Sequence, residues 1–229
     1  MQLVYGAPPS GLADVPPGAV QTSPLVPGAT QLDDIAPGSA AGIVMSVPPG
    51  TIERRHALAL ALKALAPGGS LVALGPKDKG GSRIRRALEA YGCVVADDSK
   101  NHWRICRTVR PDAPVGIDEA IAEGALRFDS VLDLWTQPGI FSWDSVDEGS
   151  ALLLEILPAL AGHGADMGCG LGLLSRAVLA NNAAVNALEA IELDARALAA
   201  ARRNINDPRA TFHWLDVREP LALPGSISW

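Results

Sequence analysis

The sequence predicts an α/β protein of two modules, each a mostly parallel sheet with helices between its strands. Three observations predict it. From residue 43 onward, short apolar runs alternate with helical stretches in strand–helix–strand order. At 165–172 one strand runs through Asp166 into Gly168-Cys169-Gly170-Leu171-Gly172 and then into a helix, an arrangement that brings backbone N–H groups against a ligand. Between 110 and 127, a connector begun by Pro111 and Pro114 separates two stretches of different charge. The expected division is 1–125 and 126–229.

Nine of the 18 prolines lie in residues 1–50, which excludes long helices there and predicts short strands and turns. Ile43–Val47 reads as a buried strand ended by Pro48-Pro49. Thr51 is the expected N-cap of a helix over 52–65, with Leu58, Leu62 and Leu65 on its apolar side and Pro67-Gly68-Gly69 as its stop. A strand at Leu71–Leu74 follows, then a helix from Ser82 to Tyr91 ended by Gly92. Strands at Cys93–Ala96 and Trp103–Val109 are expected, joined by the polar turn Asp97-Asp98-Ser99-Lys100-Asn101. A short helix near 117–125 completes the first module.

The second module opens with an expected hairpin, Ser130–Trp135 and Ile140–Trp143, about Gln137-Pro138-Gly139. A helix over 150–161 and a short strand lead to the glycines. A helix should run from Gly172 to Leu179, a strand from Asn186 to Ile191 ending at Glu192, and an alanine-rich helix from Ala195 to Asn204. The last strand is Thr211–Leu215, ending at Asp216. The module therefore reads β-α-β-α-β, with strands one to three only.

Composition narrows the function classes. With 229 residues, 48% hydrophobic and 19% charged, the chain can bury a core, and global disorder is excluded. No apolar run reaches membrane-spanning length and no signal pattern opens the chain. Three cysteines without zinc-type spacing predict reduced thiols, no metal and a cytoplasmic protein. The net charge of −6 is uneven. Residues 1–127 sum to +1, residues 128–229 to −7, and the segment 77–110 alone to +5. A basic part suits a polyanion and an acidic part suits a cation. Arg83, Arg85, Arg86, Arg104 and Arg107 are the candidate phosphate contacts.

The glycine spacing differs from the G-x-G-x-x-G of dinucleotide sites. Asp166 precedes the first glycine by two residues, where a carboxylate would repel a pyrophosphate; a nicotinamide-dependent oxidoreductase is therefore disfavoured. S-adenosylmethionine has no phosphate and carries an ammonium that Asp166 can accept hydrogen bonds from. Glu192, at the end of the next strand, is placed for ribose hydroxyls. Asp216, ending the third, is placed for the adenine amino group. Cys169, between glycines, reads as a small filler.

The runs Gln137–Ser142, Asp147–Leu154 and Ala165–Gly172 resemble the bacterial 16S ribosomal RNA guanine-N2 methyltransferases, class I enzymes of the methyltransferase small domain group. The resemblance covers most of the chain. It implies two Rossmann-like class I methyltransferase modules, the N-terminal one degenerate and used for RNA binding and support. Within it, Ala66–Leu74 resembles the fifth-strand region. It further implies S-adenosyl-L-methionine as cofactor, with Asp166, Gly168, Gly170, Gly172, Glu192 and Asp216 as its binding residues, and the Pro138–Ser142 segment as part of the roof. The expected partner is small-subunit ribosomal RNA, met by a monomer without a membrane.

The family carries an Asn-Pro-Pro-Phe/Tyr motif after strand four that holds the target amino group and stacks on the flipped base. No such motif follows Asp216. No catalytic residue is assigned, and the chain is expected to be a truncated, inactive member. The alternative is a non-catalytic RNA-binding or ribosome-assembly protein retaining a cofactor pocket. A third possibility is structural: the two halves form one permuted sheet, with Ile43–Val47 beside the strand ending at Asp166.

Overall fold

A computed structural model describes residues 1–221, 223 and 226–229. The chain divides into two compact units, Met1–Ala125 and Leu126–Trp229.

The first unit has a six-stranded sheet made of β1 (Gln2–Tyr5), β2 (Val20–Gln21), β3 (Ala40–Ser46), β4 (Leu65–Pro76), β5 (Ala96–Lys100) and β6 (Trp103–Val109). Their spatial order is β2-β1-β3-β4-β6-β5. The first four run parallel, and β6 is antiparallel to both β4 and β5. Central β3 is an almost unbroken apolar run because both its faces are covered. Helices α1 (Thr51–Ala64), α2 (Ile84–Ala90) and α3 (Ile117–Glu123) lie in this unit. Leu58 and Leu62 of α1 and Leu88 of α2 join Ile43, Met45 and Leu71 of the sheet in the main core. Leu12, Val44, Leu74 and Ile105 form a smaller cluster.

Three local expectations are corrected here. The N-cap of α1 is Gly50 rather than Thr51; the Thr51 hydroxyl instead accepts from Arg54 and Arg83. The chain passes directly from α1 into β4, so Pro67-Gly68-Gly69 lies within an irregular strand start, where the β3–β4 register shifts. The polar stretch Asp97–Lys100 is strand, and the turn is Asn101-His102, with φ of 50° and 64°. An edge strand pairs on one side only and leaves its side chains in water, so β5 needs no apolar pattern.

The second unit has a hairpin of β7 (Arg127–Asp129) and β8 (Leu134–Thr136), and helix α4 (Glu148–Ile156). Its main sheet alternates β9 (Gly162–Met167), α5 (Leu173–Asn181), β10 (Val185–Glu192), α6 (Ala195–Asn204) and β11 (Ala210–Trp214). The three strands are parallel in the order β11-β10-β9. Leu188 and Ala190 of β10, Val178 and Leu179 of α5, and Leu198 and Ala201 of α6 share one core.

The hairpin is displaced from its expected place. The Asp129 carboxylate accepts from the N–H groups of Val131 and Leu132 (2.8 and 3.0 Å), and Asp133 takes φ of 54°, so 130–133 is the turn and not a strand. Helix α4 ends at Ile156 instead of 161, because Leu157 precedes Pro158 and is driven to extended geometry (ψ 126°).

The permuted sheet is also corrected. Strand β3 has β1 on one edge and β4 on the other, which leaves no edge for β9. The edge of β9 away from β10 bonds to the tail: Ser228 N–H donates to His163 O (2.7 Å), and Ala165 N–H to Trp229 O (3.0 Å). Ala222, Pro224 and Gly225 of that tail lie outside the described residues. Among the described residues no helix is long and apolar enough to cross a membrane. Cys93, Cys106 and Cys169 are buried free thiols.

Candidate functional site

Because β9, β10 and β11 are parallel neighbours, their carboxyl ends open on one edge of the sheet. Asp166 is the next-to-last residue of β9, directly opposite Ala190, and Glu192 is the last of β10. Asp216 follows β11 by two residues. The topology thus brings all three carboxylates to the edge at which open α/β sheets hold ligands.

The turn between β9 and α5 is folded over the end of β10. The N–H groups of Gly168 and Cys169 both donate to Ile191 O (2.8 and 2.9 Å). Gly168, Gly170 and Gly172 have φ of 85°, 54° and 80°, a region L side chains avoid. Their roles differ. A Cβ on Gly168 or Gly170 would meet nothing within 4 Å, whereas one on Gly172 would lie 2.7 Å from Ile205 Cδ1 and 3.1 Å from Ala201 Cβ. Gly172 lets α5 approach α6, and Gly168 and Gly170 leave an open face.

The carboxylates also differ in environment. Asp166 Oδ2 accepts from the Ser175 hydroxyl (2.6 Å), and Ser175 itself is fully buried on α5. Burial raises the Asp166 pKa, and the neighbouring charge of Glu192 adds to the rise, while the Ser175 hydrogen bonds oppose it. Glu192 is folded onto the backbone. One oxygen accepts from Gly170 N–H (2.8 Å), the other from Leu193 and Asp194 N–H (2.7 and 2.9 Å). Asp216 is paired with Arg218 (2.6 Å), which holds its carboxyl down at about 2. The Cys169 thiol is pushed far above its ordinary value by burial and then by Asp166 and Glu192, so it is no nucleophile at neutral pH.

In front of the glycine turn lies a cavity of about 90 Å³. Gly168 and Gly170 form one wall; Leu134, Phe141, Ser142 and Asp147 form others. The Phe141-Ser142 segment thus stands where a roof is expected. The side chains of Asp166, Glu192 and Asp216 are not among the lining groups. Ligand pockets commonly measure about 300–1,000 Å³, so the cavity between the glycine turn and the Phe141-Ser142 segment is small for a nucleoside.

Three residues that the sequence reading missed position this site. Ser175 stands with Arg176 between apolar residues of α5, a weak signal in sequence. Asp147 caps α4 by accepting from Ser150 N–H (2.9 Å), and the pattern Asp-Glu-Gly-Ser carried that signal. Asn204, at the end of α6, donates to Trp135 O (2.9 Å) and Leu171 O (2.8 Å) and accepts from Trp135 N–H (2.6 Å). It ties the hairpin to the glycine turn, and nothing in sequence marked it.

Of the five arginines expected at phosphates, Arg85 pairs with Glu89 and Asp97, and Arg104 with the same Asp97. Arg86 and Arg107 are exposed. Arg83 touches the Thr51 hydroxyl (3.4 Å).

Comparison with known proteins gives a consistent result. Residues 131–223 match the methyltransferase small domain model. The chain is 34% identical over 182 residues to the ribosomal RNA small subunit methyltransferase C of Pseudomonas paraeruginosa, covering 77% of this chain and 54% of that protein. It is 32% identical over 162 residues to its counterpart in Vibrio vulnificus, covering 69% and 47%. The chain thus spans about half the length of the curated relatives it matches. Among solved structures, it shares its fold with a T. thermophilus 16S rRNA guanine N2 methyltransferase in complex with AdoMet and guanosine. The TM-score is 0.63 at 22% identity, over 81% of this chain and 52% of that one.

Proposed function

As this chain matches the ribosomal RNA small subunit methyltransferase C proteins over about half of their length and the methyltransferase small domain over 131–223, we propose that it belongs with them and that its second unit is the donor site of an S-adenosylmethionine-dependent methyltransferase whose acceptor is the exocyclic N2 of a guanine in small-subunit ribosomal RNA. The observation that carries this reading is the glycine turn itself. It presents an open backbone face at Gly168 and Gly170 between Asp166 and Glu192 on adjacent strand ends. A site whose side chains are carboxylates suits an ammonium, ribose hydroxyls and an exocyclic amine, and repels phosphate.

In this reading Asp166 receives the ammonium, Glu192 exchanges its backbone partners for the ribose hydroxyls, and Asp216 leaves Arg218 to accept from the adenine amine. Gly172 serves by packing, not by touching the cofactor. Bound S-adenosylmethionine supplies an activated methyl group, so the chain's part is alignment, and no strong base is needed. The first unit acts as RNA-binding support, and the protein works as a cytoplasmic monomer.

The 229 residues contain no Asn-Pro-Pro-aromatic sequence, so we assign no acceptor-holding residue and expect these residues alone to bind the donor without transferring its methyl group. Equilibrium dialysis with methyl-labelled S-adenosylmethionine, followed by incubation with small-subunit particles, tests both parts. Label should be retained by the protein and absent from the RNA. Failure to retain label contradicts the donor site; label on the RNA contradicts the assignment of inactivity.

A further inference from the structure

At the carboxyl ends of β3 and β4 in the first unit lies a shallow bowl of about 350 Å³, bounded by Pro49 and Gly80 and ringed by Lys77, Lys79 and Arg83, with Asp78 among them. Helix α1 begins beside it. Its N-cap is Gly50, which has no side chain to satisfy the first-turn N–H groups, and such an end carries partial positive charge.

Arg54 lies against the bowl's wall and is only 2% exposed. Its Nη1 donates to Pro49 O (2.8 Å), its Nη2 reaches the Thr51 hydroxyl (3.4 Å), and a Cβ on Gly80 would collide with Nη1. Its Nε is buried with no hydrogen-bond partner. Arg83 Nη1 reaches the same Thr51 hydroxyl (3.4 Å), so two guanidinium groups converge on one oxygen.

Buried cations are ordinarily paired. Among the described residues, none of Arg54, Lys77, Lys79 or Arg83 forms an ion pair with a carboxylate. Burial, and then the charge of Arg83, hold the Arg54 guanidinium below its ordinary value, and Glu53 in the first turn of α1 only partly offsets this. The carboxylates in the neighbourhood are Glu53 and Asp78. Three cations, Lys77, Lys79 and Arg83, therefore line one recess against a single lining carboxylate, Asp78, with the buried Arg54 and the start of α1 beside it.

We propose that this bowl is a phosphate site, and that its occupant is a backbone phosphodiester of the ribonucleic acid held by the first unit. A tetrahedral oxyanion can accept from guanidinium, ammonium and helix N–H groups at once, which a single carboxylate cannot do as fully. The choice of RNA rests on the proposed reading of the chain as a ribosomal RNA methyltransferase; the phosphate chemistry does not. Lys77 and Lys79 thereby become RNA contacts, while Arg85 and Arg104, paired with Glu89 and Asp97, do not.

The test is fluorescence anisotropy with a labelled single-stranded oligoribonucleotide, on the full chain, across a range of salt. The exposed pair Lys79→Ala/Arg83→Ala carries the test, with the exposed Arg86→Ala as a control outside the bowl. The double variant should bind about tenfold or more weakly, with its salt slope shallower by about 0.7 per lost contact. Arg86→Ala should be nearly unchanged. Inorganic phosphate should compete with RNA on wild type and not on the double variant. Unchanged RNA affinity and slope in the double variant would overturn the RNA assignment. If phosphorus NMR then showed inorganic phosphate bound to wild type alone, the occupant would be a free phosphate. Binding of neither would overturn the site. S-adenosylmethionine affinity should be the same in wild type and double variant, so a failure here is separable from a failure of the donor site.

Discussion

Asp166 is half-buried near the end of β9 with one hydroxyl donor, Ser175, and desolvation raises its pKa. A carboxylate whose folded pKa exceeds its unfolded value opposes folding once ionised. Stability is therefore fully present only below the unfolded range of about 4, and is lost as pH rises from there through the raised value. Asp166→Asn should raise the melting temperature at neutral pH, flatten stability between acid and neutral pH, and weaken S-adenosylmethionine binding by about tenfold or more. Thermal melts at several pH values check the first two, and a variant less stable than wild type at neutral pH would count against the burial argument. The glycines divide in the same way. Gly172→Ala combines a left-handed backbone with a 2.7 Å approach to Ile205 Cδ1 and should cost roughly 2–5 kcal/mol. Gly168→Ala meets no atom and should cost about 1–2 kcal/mol. Denaturant titration of both orders them.

At the scale of elements, the site depends on the hairpin of β7 and β8 being fixed to the glycine turn. Asn204 makes three hydrogen bonds to do this, and Arg176 of α5 adds contacts to Asp133 at the hairpin tip. Asn204→Ala should cost about 2–3 kcal/mol. Hydrogen exchange should show the hairpin amides losing protection while those of β4 do not. The strands and helices that pair through apolar runs, such as β3, β10 and α6, were legible because their periodicity reflects burial that the fold enforces. Those set by polar side chains were not. The Asp129 turn displaced the hairpin, and the two-residue turn at Asn101-His102 made a strand of a polar stretch. Asx turns and edge strands leave no apolar pattern to read. The carboxylates at 166, 192 and 216 were legible because strand ends could be counted. Their present partners, backbone amides for Glu192 and Arg218 for Asp216, arise from local loop geometry that spacing does not encode.

For the molecule as a whole, each unit has its own sheet and its own core. The charge separation visible in sequence follows the same division: an acidic unit bearing the carboxylate edge, and a basic segment that includes the phosphate bowl. The central claim is that the carboxylate edge receives a sulfonium nucleoside. Titration calorimetry with S-adenosylmethionine on wild type, Asp166→Asn and Glu192→Gln tests it most directly. The account predicts saturable binding to wild type and a loss of at least about tenfold in each variant; equal affinity in all three, or no heat from wild type, would contradict it.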